Sequence, residues 1–223
     1  MVIARLAVIP LSLLVDRVTG DPRSRFHPVA LLGQFIAFWG DPRKIRPSLQ
    51  RAAGVVMWVA TVALFSVPFL LAEVFLPWYA LLVAAPVLLK VCLAWRSLEE
   101  HVDAVERALS ASLPEGREKV SYMVSRDPRE LSADQVRSAA YESLSENLVD
   151  SIVAPLFYYA LFGLAGAAVY RAANTMDAML GYRDERERIG WFPARADDVL
   201  NYVPARLASG ILLLYFAARG RYT

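Results

Sequence analysis

Cysteine and histidine are scarce in this chain of 223 residues, which has one Cys and two His. Cys92 has no partner for an intramolecular disulfide, and His27 and His101 are too few for a histidine-rich metal site. Neither the GxxxxGK[ST] pattern nor the GxGxxG pattern occurs, so a bound nucleotide would be held without a P-loop or a Rossmann turn. The formal net charge of +2 gives no reason to expect a nucleic-acid partner.

Apolar residues, by contrast, make up 57% of the chain, and the mean hydropathy is +0.37. Residues 52–72 carry no charge and are long enough to span a bilayer. Residues 74–95 are a second candidate span, in which Lys90 is expected to snorkel to the near interface. Residues 2–15 are predicted to be an uncleaved first membrane helix, because no small-residue cleavage site follows them. The sequence therefore predicts an all-α, polytopic integral membrane protein in contact with lipid, with residues 1–223 as a single membrane-embedded domain.

Basic residues indicate the orientation in the membrane. Residues 16–51 contain seven Lys or Arg, whereas the tip of the predicted hairpin, at about 73–78, contains none. The positive-inside rule then places residues 16–51 and the chain after Trp95 in the cytoplasm, with the tip outside. We expect a multi-pass protein of the cytoplasmic membrane whose active site faces the cytoplasm.

The stretch after the predicted hairpin is the most polar part of the chain. Apolar residues recur at helical spacing over 98–109, which predicts an amphipathic helix ended by Pro114 and Gly116. Ser132 and Gln135 have the spacing of a capping box, which predicts the start of the next helix.

Three carboxylates follow on that helix, at Glu142, Glu146 and Asp150. Each step of four residues turns the side chain by only about 40°, so the three form one acidic stripe. No cation lies at i+3 or i+4 to pair with the stripe, and the chain becomes apolar at Ile152. Such a stripe is an expected site for a hard cation such as Mg²⁺. The alternative is a solvated helix face followed by a core helix.

The apolar segment 152–170 is interrupted by one proline and two glycines. A simple crossing would place a second polar constellation, in 170–206, on the other side of the membrane from the stripe, and the two could not form one site. A break at 163–166 into two half-length helices avoids this, because neighbouring helices can bury the freed backbone groups. The predicted elements are then a helix pair over about 135–180, broken or re-entrant near 150–180, and a further helix over about 199–218.

Six ordered polar motifs run along nearly the whole chain. They are Asp16-Arg17 with Gly20-Asp21-Pro22 and His27-Pro28-Val29; Glu100-His101-Val102; Val120-Ser121 with Val124 and Arg126-Asp127; Glu142-Ser143-Leu144-Ser145-Glu146-Asn147 with Asp150 and Ala154-Pro155-Leu156-Phe157; Asn174-Thr175-Met176-Asp177 with Gly181-Tyr182-Arg183; and Ala194-Arg195 with Asp197-Asp198, Asn201 and Pro204-Ala205-Arg206. With these motifs the chain resembles the cobalamin-biosynthesis adenosylcobinamide-phosphate synthases, integral membrane proteins of bacteria and archaea. It departs from the expected pattern at Ser125 (glycine expected) and Ala178 (serine expected), and these 223 residues do not include the glycine- and proline-rich region expected after the last helix.

The resemblance implies an ATP-dependent amide ligase that joins the propionate carboxylate of adenosylcobyric acid to aminopropanol phosphate or aminopropanol. Its partners would be the corrinoid, the amine, ATP and Mg²⁺, and a homo-oligomer is left open. A carboxylate is a poor electrophile, so ATP would convert it to an acyl phosphate, and phosphoryl transfer needs Mg²⁺ and cations around the phosphates.

Roles for individual residues follow from this chemistry. The candidate metal ligands are Glu142, Glu146, Asp150 and Asp177, with Asp184, Asp197 and Asp198 in reserve. The candidate catalytic residues are Glu142, Glu146, Asn147, Asp177 and His27, with His27 as proton acceptor for the attacking ammonium. The candidate substrate- and phosphate-binding residues are Arg126, Asn174, Arg171, Arg183, Arg195, Arg206 and Asn201, because arginine can fork onto phosphate oxygens.

Simpler readings stand beside these roles. His27 precedes Pro28 and could be a turn residue, Asp197 and Asp198 could cap a helix that begins at Val199, and 183–188 is interpreted most simply as a solvated loop.

A divalent-cation or small-solute transporter would also use broken helices and acidic residues. A transporter is expected to have carboxylates deep inside its spans. In this sequence the carboxylates are predicted to lie at the ends of the spans beside arginines, which favours the ligase. A membrane sensor related to the protein of β-lactamase induction would not need the Asn/Asp/Arg constellation.

Overall fold

The computed structural model describes residues 2–22, 24–124 and 127–220, and in these ranges helices are joined by short turns with no β-strand. The α-helices are α1 (Val2–Thr19), α2 (Pro28–Trp39), α3 (Gln50–Phe75), α4 (Trp78–Lys90), α5 (Trp95–Ala111), α6 (Leu113–Val120), α7 (Ala133–Leu148), α8 (Ala154–Leu180) and α9 (Glu187–Ala218). A 3₁₀ turn, Pro42–Lys44, follows α2, and a π-helical segment, Val149–Val153, joins α7 to α8. The all-α prediction is confirmed.

Four helical stretches of the described chain are long and apolar enough to cross a membrane. They are Gln50–Phe75, Trp78–Ala111, Ala133–Leu180 and Glu187–Ala218. The protein is therefore a polytopic membrane protein, as its composition predicts. Individual bounds differ from the predicted ones: α1 continues past 2–15, α4 ends at Lys90 before a turn into α5, and α9 begins well before 199.

The centre of the fold is α8, which is broken at Gly163. This residue has φ 76° and ψ −159°, a backbone conformation that glycine adopts at no steric cost. A Cβ at this position would also clash with the carboxylate of Glu73 near the end of α3. Oε2 of Glu73 accepts a hydrogen bond from the backbone N–H of Ala165 at 3.3 Å, and so satisfies one of the donors that the break frees. The predicted break at 163–166 is confirmed.

The two limbs of α8 fold back on each other. The rings of Tyr158 and Tyr170 stack with their centroids 5.4 Å apart, and Gly166 lies against the backbone carbonyl of Tyr158. Both limbs therefore return toward the same end of the bundle. The limb 164–180 is about twice as long as the limb 154–162. The prediction of two half-length helices is wrong in this respect, because the turn lies beside the end of α3 rather than halfway along it.

Small residues bring α3, α8 and α9 close together. A Cβ on Gly54 would clash with the carbonyl of Ile189, and a Cβ on Gly190 would clash with the carbonyl of Leu180. Small residues at such crossings allow membrane helices to approach through their backbones. The start of α9 is thereby fixed beside the start of α3 and the end of α8.

A second, smaller core lies outside this bundle, between α5, α6 and α7. It is formed by Val105, Val120, Val136, Ala139 and Ala140. The capping box that begins α7 is present as predicted, since Oγ of Ser132 accepts from the N–H of Gln135 and the side chain of Gln135 accepts from the N–H of Ser132. The amphipathic helix α5 ends where the sequence indicates, but Pro114 and Gly116 lie in the first turns of α6. Pro114 therefore lies in the first turn of a helix, which suits a residue without a backbone N–H.

Candidate functional site

Polar side chains from the π segment, α8 and α9 meet in one hydrogen-bonded group. Nδ2 of Asn201 donates to Oδ1 of Asp150 at 3.0 Å and to Oδ2 of Asp197 at 2.9 Å. Nδ2 of Asn174 lies 3.4 Å from Oδ1 of Asp197. The hydroxyl of Tyr170 lies 2.7 Å from Oδ1 of Asn201 and 3.2 Å from Oδ1 of Asp150. We call these residues, together with Asp177, the carboxylate cluster.

Asp177 belongs to the cluster because its carboxylate is close enough to the neighbouring aspartates to interact with their charges. Its carboxylate interacts with those of Asp150, Asp197 and Asp198, and each of these interactions is repulsive when both partners are charged. Only 8% of Asp197 is exposed. Its carboxylate accepts hydrogen bonds from the neutral side-chain amides of Asn174 and Asn201. Within the described residues, no basic side chain forms an ion pair with Asp150, Asp177 or Asp197. The cluster is therefore a partly buried, acidic site without a compensating cation among the described residues.

Local structure explains how these residues reach one another. Asp150 lies in the π-helical turn Val149–Val153, and the backbone carbonyl of Ser151 accepts from the N–H of Ala94, which anchors this turn to the start of α5. The hydroxyl of Tyr158 donates to the carbonyl of Leu200 at 2.9 Å and links the first limb of α8 to α9. π-Helical turns in α-helices are frequent at functional sites.

Two sequence interpretations change at this point. The helix is regular only to Leu148, so Glu142 and Glu146 lie exposed on α7 while Asp150 belongs to the carboxylate cluster. Asp197 is not a helix cap, because α9 begins at Glu187 and places Asp197 roughly 15 Å along the helix at 1.5 Å per residue.

The cluster offers the kind of ligands that Mg²⁺ prefers. Among the described residues, no group of three or more His, Cys, Asp or Glu is arranged to hold a metal by itself. Mg²⁺, however, is usually bound by one or two carboxylates, with waters and substrate phosphates as the other ligands. Asp197, buried against neutral amides, and the neighbouring Asp150 and Asp177 fit this requirement chemically.

An open cavity of about 360 Å³ is lined in part by α8, at the residue that follows Tyr170 of the carboxylate cluster. Its polar lining residues are Asp21, Ser24, His27 and Arg171. Arg171 follows Tyr170 directly, so one turn of α8 contributes to both sites. Among the described residues, Nε of Arg171 is buried without a hydrogen-bond partner. Burial lowers the pKa of His27 below its ordinary value of 6.5, although Asp21 acts in the opposite direction.

An ion-pair network with a buried lysine includes Asp21, which also lines this cavity. Nζ of Lys90 is 2.5 Å from Oδ1 of Asp21 and 3.6 Å from Oδ1 of Asp16. The Lys90 side chain is 7% exposed and that of Asp16 is 1% exposed. Oδ2 of Asp16 also accepts from the backbone N–H of Arg96 at 3.0 Å. The prediction that Lys90 snorkels to the interface is wrong, because its ammonium group is buried between two carboxylates.

The other predicted site residues are dispersed. Arg195 lies 3.7 Å from Asp198, Arg206 stacks over the ring of Tyr202, and Asn147 donates to the carbonyl of Ser143. Arg183 is exposed, and Asp184 pairs with Arg186, which lowers the pKa of that carboxyl to about 2. Arg126 lies outside the described residues. The exposure of residues 183–185 agrees with the solvated-loop interpretation, although α9 already begins at Glu187.

Sequence reasoning gave no role to Tyr170, Lys90 or Glu73. Lys90 carried a signal, since it is the one charge in an otherwise apolar stretch of 74–95. Glu73 carried the same kind of signal at the end of α3, in a hairpin tip without basic residues. Tyr170 stood in the polar constellation but has an aromatic ring that is ordinary in a span.

A polytopic helical membrane protein with a polar site beside a broken helix is the class that this architecture defines. A comparison with family models matches residues 9–222 to the CobD/Cbib protein family. The chain belongs to this family, which is a family of cobalamin biosynthesis, as its motifs indicate.

Relatives from archaea and bacteria agree with this assignment. The "Probable cobalamin biosynthesis protein CobD" of Pyrococcus furiosus is 44% identical over 96% of this chain and 73% of its own length. The "Cobalamin biosynthesis protein CobD" of Dehalococcoides mccartyi is 36% identical over 98% of this chain and 72% of its own length. The protein of the same name from Chromobacterium violaceum is 42% identical over 95% of this chain and 70% of its own length. No solved structure matches the chain.

Proposed function

We propose that this protein is an ATP-dependent amide ligase of cobalamin biosynthesis. It would join the propionate carboxylate of adenosylcobyric acid to the amine of aminopropanol phosphate, or of aminopropanol, to form adenosylcobinamide phosphate or adenosylcobinamide. The family supports a role in this pathway. The observation that carries the ligase proposal is the carboxylate cluster, a partly buried acidic group that shares one turn of α8 with a cavity lined by an arginine and a histidine.

The proposed reaction has two steps. The corrinoid carboxylate attacks the γ-phosphorus of ATP, which forms an acyl phosphate and releases ADP. The neutral amine then attacks the acyl carbon, and inorganic phosphate leaves as the amide forms. Bound Mg²⁺ supplies charge neutralisation at the phosphate oxygens.

The residues of this chain have separate roles in these steps. Asp150, Asp177 and Asp197 would hold the metal, and Asn174 and Asn201 orient the carboxylates of Asp150 and Asp197. Arg171, which lines the cavity, would bind phosphate oxygens. His27, whose lowered pKa keeps the imidazole neutral at pH 7, would accept the proton that the attacking ammonium must lose.

Reconstitution tests the proposal directly. The purified protein in detergent is incubated with adenosylcobyric acid, ATP, Mg²⁺ and either aminopropanol phosphate or aminopropanol, and the amide product is measured by mass. We expect product that depends on ATP and Mg²⁺, and we expect Asp197→Asn to abolish it. Asp103→Asn, on the exposed face of α5, is the matched control and should retain the rate. Absence of product from folded protein, together with Mg²⁺ uptake into proteoliposomes, would favour the transporter.

The proposed orientation is testable separately. We propose that both ends of the Asp150–Asp177 region face the cytoplasm, since the limbs of α8 return to the same end of the bundle. Leu148→Cys and Glu185→Cys, each in a Cys92→Ala background, should be labelled by impermeant maleimide only in inside-out vesicles. Labelling from opposite sides would contradict the single cytoplasmic site.

A further inference from the structure

Four exposed basic side chains lie where the membrane-spanning helices α3 and α9 begin. They are Lys44 and Arg46 in the segment before α3, Arg51 in the first turn of α3 and Arg188 in the first turn of α9. We call these four residues the basic surface. In the described part of the chain no carboxylate forms an ion pair with any of them, whereas the neighbouring Arg43 interacts with Asp41 and Glu185. Residues 42–51 contain four Lys or Arg and no Asp or Glu, so the positive charge is concentrated here.

Tertiary contacts hold the segment before α3 and the start of α9 together. Nε2 of the buried Gln50 donates to the carbonyls of Pro42 and Ile45 at 2.9 and 3.2 Å, which folds this segment onto the start of α3. Nη1 of Arg188 donates to the carbonyl of Pro47 at 3.4 Å and joins α9 to the same segment. The basic surface is therefore assembled from two helix starts and the segment between α2 and α3, and it is not a run of basic residues on a free loop.

Exposed aromatic rings lie beside two of the cations. The Arg51 guanidinium is 5.6 Å from the ring centroid of Trp191, and the Lys44 ammonium is 5.4 Å from that of Phe38. Trp191 is 43% exposed and Phe38 is 72% exposed. Tryptophan is enriched at the boundary between lipid tails and head groups. The 26 residues of α3 extend about 39 Å, longer than the hydrocarbon core of about 30 Å, so Arg51 at its start lies near the head groups.

Nearby acidic side chains do not neutralise the basic surface. Asp184 pairs with Arg186, and this pair lies in the turn before α9. Glu187 precedes Arg188, but adjacent residues of a helix do not face each other. The cations therefore repel one another, and an anionic ligand would remove this repulsion.

We propose that the basic surface binds the phosphate group of an anionic phospholipid in the leaflet where α3 and α9 begin. Arg51 and Arg188 would bind the phosphate oxygens from two different helices, because guanidinium groups fork onto such oxygens. Trp191 would lie against the glycerol and the upper part of the acyl chains. The bound lipid would bridge the starts of α3 and α9. This proposal does not rest on the ligase function, since it uses no residue of the carboxylate cluster or of the cavity beside it.

Lipid binding can be measured without any reaction. The purified protein in a neutral detergent is titrated with phosphatidylglycerol or phosphatidylcholine, and native mass spectrometry gives the Kd of the first bound lipid. We expect the parent to prefer phosphatidylglycerol. Arg51→Gln combined with Arg188→Gln should weaken phosphatidylglycerol about 30-fold, at about 1 kcal/mol for each basic side chain and about 1.4 kcal/mol for each factor of ten. It should leave phosphatidylcholine unchanged.

The matched control removes the same charge elsewhere. Arg107→Gln combined with Lys119→Gln neutralises exposed side chains of α5 and α6 and should leave both affinities unchanged. Arg46→Gln is a second variant that does not depend on the contacts of Arg51 and Arg188, because the Arg46 side chain makes no hydrogen bond or ion pair among the described residues. It should weaken phosphatidylglycerol about fivefold on the same basis.

Three results would overturn the proposal. The first is equal affinity of the parent for the two lipids, and the second is an equal loss in the double variant and its control. The third distinguishes a lipid from a soluble anion, with inorganic pyrophosphate as the probe. If pyrophosphate binds the lipid-free protein as tightly as phosphatidylglycerol does and is weakened by the same substitutions, the basic surface is a site for soluble anions.

Thermal unfolding in nanodiscs tests the bridging role. Adding phosphatidylglycerol to phosphatidylcholine nanodiscs should raise the melting temperature of the parent, because a ligand that binds only the folded state stabilises it. The variant with Arg51→Gln and Arg188→Gln should lose this increase, and the control with Arg107→Gln and Lys119→Gln should keep it. An equal increase in both variants would show that the lipid stabilises the protein through other residues and would contradict the bridge between α3 and α9.

Discussion

Two polar groups that each contain a buried carboxylate, the Lys90 network and the carboxylate cluster, differ in charge balance. In the Lys90 network, one ammonium lies between the carboxylates of Asp16 and Asp21. In the carboxylate cluster, Asp150 and Asp197 receive hydrogen bonds from the neutral amides of Asn174 and Asn201. Each group contains a carboxylate that is largely removed from water, Asp16 in the first and Asp197 in the second, so an uncompensated charge is costly in either.

The difference separates a structural group from a candidate binding group. The Lys90 network is internally compensated apart from one carboxylate charge, and it joins α4 to α1 and the following loop. The carboxylate cluster lacks a compensating cation among the described residues, and this makes it the better candidate for a bound cation. Hydrogen bonds from amides orient its oxygens without neutralising them.

Removal of the Lys90 charge should have the largest effect on stability. Lys90→Met leaves the buried Asp16 carboxylate and the partly exposed Asp21 carboxylate without their cation, and we expect it to lower the free energy of unfolding by about 3–5 kcal/mol. The measurement is unfolding in mixed detergent micelles, followed by circular dichroism. Asp16→Asn in the same background should recover part of the loss. Lys119→Met, on the exposed face of α6, is the control, and a loss in Lys90→Met as small as in this control would contradict the structural role of the network.

Neutralisation of the carboxylate cluster should act in the opposite direction. We expect Asp197→Asn to stabilise the metal-free protein slightly, because it removes repulsion from Asp150 and Asp177. The parent should gain up to about 2.7 kcal/mol when Mg²⁺ is present at 100 times its Kd, and the variant should lose this gain. Thermal unfolding with and without Mg²⁺ measures both effects. If Mg²⁺ does not change the melting temperature of the parent protein, the carboxylate cluster is not a Mg²⁺ site.

The geometry that brings Asp150 to Asn201 depends on the break in α8. Gly163→Ala forces a side chain into a positive φ and against the Glu73 carboxylate, so we expect a loss of about 1–3 kcal/mol. Gly210→Ala is the matched control, because Gly210 has open space around it and lies in a regular helix. It should be neutral or stabilising by up to about 1 kcal/mol. Equal stability of the two variants would show that the break is not required.

The smallest expected effect is the pH dependence contributed by His27. Its pKa in the folded state lies below the ordinary 6.5, mainly because of burial, so the unfolded chain binds the proton more readily. Stability should therefore fall as the pH is lowered below 6.5, and the loss should be complete below the folded-state pKa. His101→Gln leaves His27 as the remaining histidine, so its NMR titration can be followed without overlap. A midpoint at or above 6.5 would contradict the burial of His27.

Much of the fold is predictable from local patterns in the chain. The uncharged run in α3, the Ser132 capping box and the two glycines in the middle of the segment 152–170 each specify local structure, because hydropathy, capping and backbone freedom are properties of a few neighbouring residues. The motifs also carry the family, since the same side chains recur in the same order. Membership of a cobalamin-biosynthesis family was therefore accessible from the sequence.

Only some of the residues that form the candidate site can be predicted from the sequence. Asn174, Asp177, Asp197 and Asn201 are near one another in the sequence, but the π-helical turn that directs Asp150 toward Asn201 has no simple local signature. Glu142 and Glu146 share the spacing of Asp150 in the sequence and yet lie exposed on α7. The predicted acidic stripe requires a regular α-helix through Asp150, whereas the helix widens into a π-helical turn at Val149–Val153.

The sequence by itself determined an all-α membrane protein, its family and the position of the break in α8, because these depend on hydropathy, motif order and the absence of a Cβ. Tertiary structure alone decided that Lys90 is buried between Asp16 and Asp21 and that Glu73 receives a hydrogen bond from Ala165. Each of these contacts joins residues that are distant in the chain. Their formation depends on how α1, α3, α4 and α8 pack, and packing fixes which charges are buried together.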